Sequence, residues 1–106
     1  MEAHEMIRQI GKLAILALDA EDLAGLLEAS DAIRVDNTCL AGWIRVLSLG
    51  GHILVQEETL DKEILLRRFD SREAAERFVE HRLSTYERMW DGCGCRIDYL
   101  QQVEGE

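Results

Sequence analysis

Apolar side chains at Met6, Ile7, Ile10, Leu13, Ala14, Ala17 and Leu18 recur at helical spacing. They predict an amphipathic helix over 3–18, with Arg8, Gln9 and Lys12 away from the centre of the stripe. Gly11 lies inside the stripe, where it weakens the helix slightly or lets another element approach closely. Asp19 then offers an N-cap acceptor, and Asp22 stands where a capping-box glutamate would, on a shorter side chain. Leu23, Leu26, Leu27 and Ser30 continue one face. A second helix is therefore expected to fade by about Arg34, where VDNT supplies turn formers. With almost no linker between them, the two helices form a hairpin or a bent pair.

The middle of the chain changes period. In WIRVLSL, 43–49, Trp43 and Leu47 can share a helix face with Leu40, but the same residues also read as a strand entering Gly50-Gly51. Two glycines between β-rich runs suit a two-residue hairpin, because both tolerate positive φ, so the strand reading is preferred. HILVQEE at 52–58 and KEILLRRF at 62–69 flank TLD and predict a second hairpin. A register pairing Glu57 with Ile64 and Val55 with Leu66 places Ile53, Val55, Ile64 and Leu66 on a core face. The other face, with His52, Leu54, Gln56, Glu58, Glu63, Leu65, Arg67 and Phe69, is mixed.

The segment FDSREAAERFVEHRL carries the strongest local signal. Asp70 is placed to cap a helix, Glu73 completes a capping box, and Phe69 can staple onto Ala74. Ala75, Phe78, Val79, Leu83, Tyr86, Met89 and Trp90 share its apolar face, and Gly92 can end it in a left-handed cap. CRIDYL at 95–100 has the composition of a short strand. The expected fold is α+β: two N-terminal helices, a small, mainly antiparallel sheet of three or four strands, and a long C-terminal helix followed by a short strand. At 106 residues a single compact domain, 1–106, is the natural unit.

Charge narrows the partners. Twenty-one acidic against 12 basic residues give a formal charge of -9 that is spread along the chain. That charge repels phosphate and anionic membrane, so neither nucleic acid nor a membrane is expected as a partner. The longest apolar run near the start, LAILAL at 13–18, is too short to cross a bilayer, and no leader pattern opens the sequence. Three cysteines do not form a disulfide framework, and a reduced cytoplasmic setting is expected. Large apolar side chains on the mixed sheet face (Leu54, Leu65, Phe69) favour a homodimer unless the N-terminal helices cover them.

Candidate chemistry gathers near residues 81–98. Cys93 and Cys95 flank Gly94, and thiolates at this spacing can give two ligands to a metal; Cys39, His81, His52 or His4 would have to complete the site. A CxC disulfide closes a strained ring, and the C-terminal end of a helix disfavours a thiolate. The competing reading is a helix-to-strand reversal in which the cysteines pack against Trp90 and Tyr99 as small hydrophobes. Arg82 projects inside the apolar face of its helix. There it can cover apolar surface with its stem, pair with Glu57 or Asp98, stack on Tyr86, or bind an anionic ligand alongside His81 and Asp98. Trp43, Tyr86 and Trp90 suit core or interface anchors. No phosphate loop, dinucleotide fingerprint, HExxH or GxSxG is present, and no cofactor is expected. The pattern fits a small acidic protein-binding or regulatory domain, with a metal-binding or thiol-dependent protein centred on CGC as the alternative.

Overall fold

The computed structural model of the chain describes residues 1–38 and 42–89. Helix α1 covers Ala3–Lys12, strand β1 Leu16–Leu18, helix α2 Ala20–Ala29 and strand β2 Asp31–Thr38. Strands β3 Gly42–Leu49, β4 His52–Glu58 and β5 Ile64–Phe69 follow, and α3 Arg72–Met89 is the last described element. The sheet is antiparallel throughout, in the order β1-β5-β4-β3-β2. β1 and β2 are its two edges, so α2, which joins them, passes from one side of the sheet to the other. The fold is α+β, with β1 inserted between the first two helices and five strands in the sheet.

The first helix is shorter than its apolar stripe. It stops at Lys12, Leu13 is already extended, and Leu16 and Leu18 are buried on either side of exposed Ala17. Three residues of period-two burial are invisible inside a longer run of leucine, isoleucine and alanine, which also satisfies the helical period. The second helix begins as expected. The Asp19 carboxylate accepts from the Asp22 amide at 2.7 Å, and the shorter Asp22 side chain returns the bond to the Asp19 amide at 3.3 Å. It ends at Ala29 rather than near Arg34. Ser30 bonds the Leu26 carbonyl through both its amide and its hydroxyl, and the residues expected to be helix end and turn form β2.

The glycine hairpin holds. Gly50 and Gly51 take φ of 55° and 84° between Leu49 and its partner His52. The β4–β5 register differs from expectation by one residue. Glu57 faces Leu65 and Val55 faces Arg67, because the loop runs through Glu63 rather than ending at Asp61. Thr59 ties that loop: its amide donates to the Glu63 carbonyl, its carbonyl accepts from Lys62, and its hydroxyl accepts from the Glu63 amide. Lys62 supplies the positive φ of 66° that the turn needs. A one-residue slip moves every β5 side chain to the other face.

Both faces of the sheet are consequently covered. Met6, Ile10 and Leu26 of the first two helices cluster with Leu16, Leu18, Leu47, Leu49, Leu54 and Leu66. On the opposite face Ala75, Val79 and Leu83 of α3 cluster with Ile44, Val46 and Val55, and with half-buried Ile33, Ile53, Phe69 and Phe78. Leu54, expected on a partly open face, is fully buried by this arrangement. Ser71 rather than Asp70 caps α3, its hydroxyl accepting from the Ala74 amide at 3.1 Å, so Glu73 is not in the capping-box position. The expected strand at 95–100 and the reversal at Gly92 and Gly94, with Trp90 and Tyr99, lie outside the described residues.

Candidate functional site

Strand parity puts Glu57 on the same side of β4 as Ile53 and Val55, beneath α3. Its side chain is 1% exposed. An ionised carboxylate there requires compensation, and three side chains provide it. Arg67, on the neighbouring strand, brings Nη1 to 2.6 Å from Oε1. From α3, Tyr86 donates its hydroxyl to Oε2 at 3.1 Å, and Arg82 places Nε 3.3 Å from the same oxygen. That last contact is an ion pair rather than an aligned hydrogen bond, and Arg82 Nε lacks a hydrogen-bonding acceptor. The Phe78 ring lies near both guanidiniums, 4.8 Å from Arg67 and 5.3 Å from Arg82, and contacts Phe69 at 5.2 Å between centroids. Burial, then the charge of Glu57 and the bond to it, push the Tyr86 phenol up to about 12 against the opposing effect of Arg82 and Arg67. Tyr86 is thus a neutral donor at ordinary pH. Glu57 has its oxygens occupied, so the cluster clamps α3 to the sheet and presents no free base.

A second ionic group lies nearer β2. A bulge between Ala32 and Arg34 leaves Ile33 and Arg34 both against α3, so the isoleucine enters the core while the arginine reaches outward. Arg34 donates Nε to Asp36 at 2.6 Å and Nη2 to Glu80 of α3. Burial opposes its charge, but the bonds to Asp36 and Glu80 outweigh this and raise its pKa.

The third group is on the other face of the sheet. Arg45 donates to Gln56 Oε1, lies 3.6 Å from Glu58, and sits 5.6 Å from the centroid of the Trp43 indole. Glu58 also accepts from the Trp43 amide at 3.0 Å and packs closely on Gly42, whose φ is 135°. Trp43 remains 37% exposed, while Gln56 is fully buried with its Nε2 donor unmatched among the described residues.

Arg82 therefore reaches Glu57, one of the partners its position suggested, and stacks on Phe78 instead of Tyr86. His81, the preceding residue on the helix, is exposed, and its carbonyl accepts from the Thr85 hydroxyl at 3.0 Å. Asp98, Cys93, Cys95 and Cys39 lie outside the described residues. Among those described, no group of three or more His, Cys, Asp or Glu side chains is arranged to hold a metal ion. Sequence reasoning overlooked Glu57 as the centre of this cluster, although its shared parity with Ile53 and Val55 carried the signal. Asp36 and Glu80 left no such mark, because their pairing depends on a bulge. Comparison with protein-family models, with curated proteins and with solved structures found no match.

Proposed function

We propose that this chain is a small acidic protein-binding or regulatory domain of a reducing, cytoplasmic environment, acting through protein contacts as a homodimer. The observation that carries the reading is the corner of the sheet formed by β2 and β3. Among the described residues β2 is an edge strand of the sheet, with β3 as its neighbour. Beside it, Trp43 holds an amphipathic ring at the surface with a guanidinium against it. An edge strand with an exposed aromatic anchor one strand away supports a docking role for this corner. The ionic groups under α3 are committed to one another and support a structural role better than a catalytic one.

Sedimentation of the full chain over a wide concentration range tests the reading. A dimer is expected, and a mass that stays monomeric at every concentration would overturn it. The metal or thiol alternative invokes His81, which is exposed on α3, together with Cys39, Cys93 and Cys95, which lie outside the described residues. Elemental analysis of reduced protein prepared without added zinc decides between the two. Stoichiometric metal that disappears in the Cys93→Ser/Cys95→Ser protein would replace the docking reading.

A further inference from the structure

We propose that Arg82 and Arg67, with the apolar shelf beside them, bind a small aliphatic monocarboxylate. The charge balance of the Glu57 cluster is the starting point. Two guanidiniums share one carboxylate and Tyr86 stays neutral, so the group keeps a net positive charge on a chain whose formal charge is -9. The surplus sits on Arg82. Arg67 is 13% exposed and bonded to Glu57, whereas Arg82 is 35% exposed and its buried Nε has no hydrogen-bonding acceptor. Among the described residues none accepts from its two terminal nitrogens either, and these are not enclosed. A guanidinium in that state lacks an anion, and a carboxylate fits its fork with two parallel hydrogen bonds.

The surroundings select the rest of the ligand. Leu65 and Arg67 lie on the α3 face of β5, because their β4 partners Glu57 and Val55 do. Ala17 pairs with Leu65, and continuing that register past Leu16 and Leu66 sets Ile15 opposite Arg67. Helix α3 packs on Ile44, Val46 and Val55 of β3 and β4, and beside it this margin of the sheet is aliphatic and exposed. Ile15 is 44% and Leu13 48% exposed, Ala17 is exposed and Leu65 is half-buried. Phe78, between the two guanidiniums, borders the shelf on the α3 side. From Ala17 to Leu13 the chain spans at most about 13 Å, room for a medium-length hydrocarbon chain whose head meets Arg82. A mainly apolar surface with one placed charge is the common anatomy of a small-molecule site. A monoanion balances the surplus charge, whereas a dianion would leave negative charge beside Glu57.

The test titrates the full chain with sodium decanoate, below its micelle threshold, while NMR follows the Arg82 Nε–Hε and Phe78 ring resonances. Saturable shifts at both are expected. Propionate carries the charge without the chain and decanol the chain without the charge, so each should bind at least about tenfold more weakly. Ile15→Glu adds a carboxylate to the exposed shelf without touching the Glu57 clamp. It should weaken decanoate binding about tenfold or more and leave the circular dichroism unchanged. Decanol binding as tightly as decanoate, shifts that avoid Arg82 and Phe78, or an Ile15→Glu chain that binds like the parent would each overturn the site. Sedimentation does not enter these readouts, so the dimer reading stands or falls separately.

Discussion

Glu57 concentrates the residue-scale physics of this molecule, because a carboxylate 1% exposed depends on its charged and hydrogen-bonding partners to offset the cost of its burial. Glu57→Gln keeps the shape but leaves Arg67 and Arg82 facing each other under α3 without a counter-charge. A loss of about 3–5 kcal/mol in urea unfolding is expected. Arg8→Ala, which removes an exposed i,i+3 pair with Glu5, should cost under about 1 kcal/mol in the same assay. Tyr86 adds a pH-dependent component with a definite sign. Its phenol ionises near 10 when unfolded and near 12 when folded, so between these values the folded chain holds a proton that the unfolded chain has released. Stability from this group is complete below pH 10 and is lost as pH rises toward about 12. Phenolate absorbance should show one late titration step that Tyr86→Phe removes. A parent protein with no step later than about pH 11, midway between the two values, would contradict the buried bond to Glu57.

At the scale of elements, α3 is held unevenly, and its variants should rank accordingly. Leu83 is 2% exposed within the sheet-facing cluster, so Leu83→Ala should lose about 2–5 kcal/mol. Phe78 is only half-buried between the two guanidiniums, so Phe78→Ala should fall below the roughly 3–5 kcal/mol of a fully enclosed ring. The reverse ranking in chemical denaturation would mean that the aromatic–arginine stack outweighs burial. What the sequence made legible follows the range of each signal. Asp19, Asp22 and Gly50-Gly51 act within four residues of themselves, and the cap and hairpin they announced are present. β1 was hidden because Leu16 and Leu18 satisfy a helical stripe as readily as an edge strand that needs β5 beside it. The β4–β5 register depended on Lys62 accepting positive φ, which residue type does not announce. Arg82 was conspicuous among apolar neighbours, yet its partner became definite only once that register placed Arg67 beside Glu57.

For the whole molecule, the decisive quantity is a formal charge of -9 on a body whose described residues span 40 × 30 × 23 Å. Two copies repel at long range, while the contacts of a dimer attract at short range through burial and hydrogen bonds. Salt acts on these contributions unequally. Charges separated by more than the Debye length, about 10 Å at 0.1 M ionic strength and about 30 Å at 0.01 M, are largely screened, whereas partly buried pairs are screened much less. Raising ionic strength from about 0.01 M to about 0.15 M should therefore tighten the dimer rather than weaken it, with most of the gain at the low end of the range. Sedimentation equilibrium at a series of sodium chloride concentrations measures this directly. Weakening across the same range would show that exposed ion pairs, rather than buried contacts, dominate the attraction between copies.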